Sequence, residues 1–150
     1  MSDANMRMME LALQGFRCSQ ILMTMALEAQ QRSNPDLVRA VCGLQGGMGC
    51  GKACGALTGA CCVLGLFAGK GTPQENGDER LSVMLASLVE WFEQEHGSRY
   101  GGIDCTNILE DDPRNQLTRC PQIVFTTFEK LNEILEANDY RLDQVPGSAD

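Results

Sequence analysis

The chain has 150 residues, a formal net charge of −8, eight cysteines and one histidine, His96. That length suits a single domain, residues 1–150, which can bury about 70% of the surface its unfolded chain exposes and needs no disulfides to fold. The acidic balance excludes a nucleic-acid binder, and a lone histidine excludes a histidine-cluster metal site within one chain.

Met6, Met9, Leu13 and Phe16 recur at helical spacing, so residues 3–15 read as a first amphipathic helix, broken at Gly15. Cys18-Ser19-Gln20 opens a second, with Ile21, Leu22, Met25 and Ala26 inward, running to about Gln31. Asn34-Pro35 is a cap followed by a first-turn proline, and it starts a short helix through Val38, Val41 and Cys42. A glycine-rich loop, residues 43–49, then leads into residues 50–69.

From Ala53 to Gly69 there is no charge. Seventeen residues span roughly 26 Å as a helix, short of a bilayer core of about 30 Å. A central helix buried by the others, not a membrane span, is the expectation. Leu81, Met84, Leu85, Leu88, Val89 and Phe92 mark a long amphipathic helix to about His96, which reads as a cap at the helix end. Gly101-Gly102 is a turn, Cys105 to Leu109 a short helix, and Cys120-Pro121 is read as the N-cap and first residue of the last helix. No convincing strand is found, no tandem repeat, and no low-complexity tail beyond the last five residues. The fold reads as an all-α bundle around a buried glycine-rich helix.

Charge and glycine are unevenly spread. Residues 1–70 carry +2 and six of the eight cysteines, whereas residues 71–150 carry −10. Ten of the sixteen glycines lie between Gly43 and Gly71, the mark of a backbone that something approaches closely. Glu93, Glu95 and the run Glu110-Asp111-Asp112 read as solvated faces. The acidic half would suit docking of a basic redox partner protein or of a second copy of the chain, a homodimer.

The cysteines fall in a pattern. Cys18, Cys50 with Cys54, Cys105 and Cys120 all stand at expected helix starts, where free N–H groups and the positive end of the helix dipole favour a thiolate or an anionic cluster. Cys50, Cys54 and Cys61 would share one stripe if the central helix began at residue 50. Cys42, Cys61 and Cys62, on apolar helix faces, read as small core residues. The first ten residues lack a basic segment followed by an apolar stretch, so a cytoplasmic, reducing setting is expected. There, cysteines bind metals or do redox chemistry more often than they cross-link.

The segment Gly47-Met48-Gly49-Cys50-Gly51-Lys52-Ala53-Cys54-Gly55-Ala56-Leu57-Thr58-Gly59 resembles the signature of the C_GCAxxG_C_C redox-active protein family. Gly15-Phe16-Arg17-Cys18-Ser19-Gln20 is similar to that family's first cysteine motif, and Cys105 and Cys120 fit its last two. The resemblance implies that the family's four cysteines are Cys18, Cys54, Cys105 and Cys120, and it implies redox or metal chemistry without naming a reaction. The sequence departs from the family label in reading Cys-Gly-Ala at 54–56 in place of Gly-Cys-Ala.

Three functions follow from these residues. The first is an iron–sulfur protein in electron transfer or a redox accessory role, with Cys18, Cys54, Cys105 and Cys120 as ligands of a [4Fe-4S] cluster and Cys50 as the next candidate, which would enlarge the cluster or serve a second one. The second is a metal-free thiol–disulfide relay centred on Cys50 and Cys54. The third is a soft-metal protein holding zinc or copper(I). The glycine-rich loop does not match a phosphate-binding G-x4-G-K-[ST] motif, and no haem-attachment C-x2-C-H occurs.

Overall fold

A computed structural model describes residues 2–146; most of the low-complexity tail, residues 147–150, lies outside the described residues. Helices α1 (Asp3–Leu13), α2 (Cys18–Ala29), α3 (Pro35–Val41), α4 (Gly55–Ala68), α5 (Leu81–Phe92), α6 (Ser98–Tyr100), α7 (Cys105–Leu109) and α8 (Asn115–Ala137) form the bundle. Among the described residues the one extended pairing is an isolated antiparallel bridge between Ala53 and Asp104.

Helix α4 is the centre, packed by α2, α5 and α8. Most of its apolar residues are buried, from Ala56 and Leu57 through Val63 and Leu64 to Phe67, while Thr58, Cys61, Cys62, Gly65 and Leu66 form one half-buried stripe. A helix so uniformly apolar is stable only when other helices cover it. At fourteen residues it does not reach across a bilayer, and no described helix is long and apolar enough to do so. Leu22 and Leu27 of α2, Leu88 and Phe92 of α5 and Leu131 and Leu135 of α8 complete the core.

Two glycines of α4 set its distance from α2. A methyl group on Gly59 would stand 2.7 Å from the Ser19 Cα, and one on Gly55 would stand 2.7 Å from the Cys18 sulfur. Ser19 is itself fully buried and donates its hydroxyl to the Val41 carbonyl at 2.8 Å, which ties the α3 end into the same contact. Around the rim, Arg7 of α1 clamps Glu28 of α2 through two short bonds, 2.8 and 2.7 Å.

Three expected boundaries move. The central helix begins at Gly55, not at residue 50. Residues 47–51 form a separate π-turn in which Met48 and Gly49 are left-handed, and Lys52 and Cys54 are not helical. Cys50 and Cys61 therefore share no helical stripe. The last helix starts at Asn115, so Cys120 is in its second turn and Pro121 lies inside it. Asp112 and Pro113 supply the start instead, their carbonyls accepting from the Asn115 and Gln116 amides at 3.0 and 3.2 Å. Pro121 removes only the bond to the Leu117 carbonyl, on the exposed face of the helix.

The third concerns His96. Helix α5 runs on through a π-turn at Glu93–Gly97 into α6 and ends at the left-handed Gly101, so His96 caps nothing. It is buried, its Nε2 3.0 Å from the Thr126 hydroxyl, with its ring edge-on to Trp91 and Phe92. Thr126 already donates to the Gln122 carbonyl at 3.0 Å, so it accepts from a protonated Nε2, an assignment made from the network. Burial lowers the pKa of the ring and keeps it neutral.

The close α2–α4 contact is open to test. Gly59→Val forces a branched side chain into the Ser19 backbone and should cost about 2 kcal/mol in urea denaturation. Gly65 of the same helix has nothing within 4 Å of its missing methyl. Gly65→Ala should therefore stabilise the chain by roughly 0.5–1 kcal/mol.

Candidate thiol site

Cys18 is the first residue of α2, with Gln20 accepting from the Arg17 amide at 3.1 Å to hold the helix start. Cys54 stands at the N-cap of α4 and Cys105 is the first residue of α7. These two are fixed side by side by the Ala53–Asp104 bridge. The Cys54 amide donates to the Ile103 carbonyl at 3.0 Å, and the Cys105 amide to the Lys52 carbonyl at 2.7 Å. The Thr106 hydroxyl adds a bond to the Gly51 carbonyl at 3.1 Å. Gly51 must be glycine here, with a φ of +77° and a missing methyl that would meet the Thr106 side chain at 2.4 Å.

Cys120 comes from α8, whose start is pinned to α7 by Arg119. That guanidinium donates to the Ile108 carbonyl at 2.6 Å and pairs with Glu110 at 2.9 Å. The four thiols Cys18, Cys54, Cys105 and Cys120 line one small pocket of about 30 Å³, closed by Gly46, Gly55 and the apolar Ile108, Ile123 and Val124. The pocket thus collects sulfurs from four separate stretches of chain. Of the other four cysteines, none lines it. Cys50 is exposed and its thiol lies 3.5 Å from the Gly47 carbonyl, while Cys42, Cys61 and Cys62 are half-buried. All eight are free.

The electrostatics of the pocket are those of protonated thiols. Burial pushes Cys54 up to about 12, with the neighbouring Cys18 adding to the rise, and Cys120 up to about 11, with Cys18 and Cys105 adding. Burial raises Cys18 and Cys105 as well. Two features oppose it. Backbone amides of Ser19 and Gly46 lower Cys18, and those of Ala56 and Leu57 lower Cys54. The Arg17 guanidinium lowers Cys18, Cys105 and Cys120 together. Among the described residues no three His, Cys, Asp or Glu side chains form a group able to hold one metal ion. The thiols surround a shared space without meeting at a point.

Sequence spacing alone pointed to Cys18, Cys54 and Cys105 at helix starts, and the structure places them there. Arg17 was missed as a contributor, since one exposed arginine beside a cysteine is an ordinary surface residue until the fold brings two more thiols into its field.

Fold and site together define an all-helical protein with a pocket of four cysteine thiols supplied by four separated segments. The chain belongs to the family described as "Putative redox-active protein (C_GCAxxG_C_C)", whose profile matches residues 16–134. All four pocket cysteines fall within that span. Neither the curated proteins nor the solved structures contain a significant match to the chain.

Two outcomes are expected of the metal-free chain. Under native alkylation with iodoacetamide, read by peptide mass spectrometry, Cys50 should be modified first and Cys54 last, following their exposure. The raised thiol pKa values also set a sign for stability. A buried thiol that binds its proton more tightly folded than unfolded stabilises the fold fully below about pH 9, and that contribution is lost as pH rises toward 12. Urea denaturation should show stability falling over that window, with a shallower fall in Cys54→Ala.

Proposed function

We propose that the chain is an iron–sulfur redox protein in which Cys18, Cys54, Cys105 and Cys120 ligate a [4Fe-4S] cluster. The observation that carries this reading is the convergence on one pocket of four cysteines that lie within the family-matched span. The donor set suits the group in kind: four thiols, backbone amides of two helix starts and the Gly46 turn, and apolar walls that exclude water. The pocket is only about 30 Å³ in its thiol form, roughly the space of one or two waters, so loading requires the glycine-rich loop or α7 to yield. When bound, such a cluster supplies one-electron transfer.

The chain's own contribution is to give up four protons and to balance the charge that results. Each thiol must lose its proton to solvent before it ligates, and a cation in the pocket reverses the penalty that burial imposes. Arg17 and the amides at the starts of α2 and α4 then offset the negative charge of the thiolates. The acidic half of the chain supports docking of a basic redox partner.

The metal-free relay is less well supported. A nucleophilic cysteine needs a lowered pKa, and here burial raises all four pocket thiols. Its expected pair is also split, with Cys54 buried in the pocket and Cys50 exposed outside it.

Anaerobically purified or reconstituted protein should contain about four iron and four acid-labile sulfide per chain, with broad visible absorption that bleaches on reduction. Serine at residue 18, 54, 105 or 120 should remove most of both, and Cys50→Ser should leave them unchanged. Neither iron nor sulfide in the wild-type chain after reconstitution would overturn the proposal, and loss in Cys50→Ser would move the ligand set to the loop.

A further inference from the structure

On the other side of α2 lies a groove that takes no part in the thiol site. It opens between α2 and α3, has a volume of about 490 Å³, and is lined by Phe16, Gln20, Thr24, Leu27, Arg32 and Val38 with their neighbours. At 100° per residue, Gln20, Thr24 and Leu27 share one stripe of α2, whereas Cys18 is two residues before Gln20 and so faces nearly the opposite way. The groove and the sulfurs thus occupy opposite faces of one helix.

Its size falls in the range of small-molecule sites, about 300–1,000 Å³, and its chemistry is divided. Phe16, Leu27 and Val38 provide an apolar body. Gln20 accepts from the Arg17 amide and donates to the Val38 carbonyl at 3.2 Å, so it holds the two walls together. Thr24 differs: its hydroxyl is buried and has no hydrogen-bond partner among the described residues. A buried hydroxyl left unpaired costs stability, and its burial keeps it out of the groove itself.

The charges at the rim decide the sign of that ligand. The Glu28 carboxylate is bound by Arg7, which also pairs with Glu10 at 3.0 Å, and Arg39 pairs with Asp36 at 2.7 Å. Arg32 donates one N–H to the Gln30 side chain at 2.9 Å and has no carboxylate partner among the described residues. Its charge is the uncompensated one at this rim. We propose that the groove binds a small amphipathic anion, a carboxylate carried on an apolar chain. The head group lies on Arg32, and the chain lies against Phe16, Leu27 and Val38.

Titration of the full-length nitrogen-15-labelled chain with octanoate, octylamine and 1-octanol, followed by amide chemical shifts, tests the pairing of charge and apolar body. Octanoate should give saturable shifts at Thr24, Leu27 and Val38 and bind at least about tenfold more tightly than octylamine. Arg32→Gln should weaken octanoate by about tenfold, and Arg32→Lys should retain most of the affinity. Both variants are checked for an unchanged amide spectrum before titration. Equal binding of the amine and the carboxylate, absence of saturable shifts, or shifts confined to the exposed Met6, Met9 and Leu13 face of α1 would each overturn the proposal. None of these readouts depends on iron, so the result stands apart from that of the thiol site.

Discussion

The close crossing of α2 over α4 is the contact on which the rest of the molecule depends. Gly59 admits the Ser19 backbone, and Gly55, one turn earlier, admits the Cys18 sulfur. A larger residue at Gly59 would push the helices apart, and one at Gly55 would displace the Cys18 sulfur. The same crossing buries the Ser19 hydroxyl on the Val41 carbonyl, so the loop that follows α3 is held over the pocket. The glycines of α4 therefore serve geometry more than flexibility: they let a sulfur stand at the start of a neighbouring helix, where backbone N–H groups have no partner within the helix.

A second constraint brings in the other half of the site. The bridge between Ala53 and Asp104 is the one extended pairing among the described residues, and each of its residues directly precedes a pocket cysteine. It lets two helix starts from distant parts of the chain sit side by side with their backbone groups satisfied, which two bare helix ends would not achieve. Arg119 then joins α8 to α7 and sets Cys120 against the pair. The result is a set of half-buried to buried thiols with raised pKa values, unsuited to act as free nucleophiles.

Much of this was legible in the residues themselves. The helical periodicity, the Asn34-Pro35 start and the uncharged stretch before Lys70 led directly to an all-α fold with α4 inside. Cys18, Cys54 and Cys105 were marked by their positions ahead of apolar helical runs. Where the reading went astray, a local signal was overruled by tertiary structure. Cys120-Pro121 has the form of a cap and first residue, yet the Asp112-Pro113 turn starts the helix two turns earlier and the proline is carried inside it. Cys50 seemed to extend the central helix, but left-handed residues at 48 and 49 turn the chain away. His96 looked like a terminus because the sequence gives no sign of a π-turn, and the helix passes through it. The Ala53–Asp104 pairing could not be read at all, since a two-residue bridge leaves no alternation to see.

The central claim is that four thiols from four segments surround one multi-iron centre. Iron K-edge X-ray absorption of the anaerobically reconstituted chain tests it most directly. The account predicts a first shell of sulfur alone together with iron–iron scattering, the same in the wild-type chain and in Cys50→Ser. A nitrogen or oxygen first shell, or sulfur without iron–iron scattering, would contradict it and leave the pocket as a site for some other chemistry of thiols.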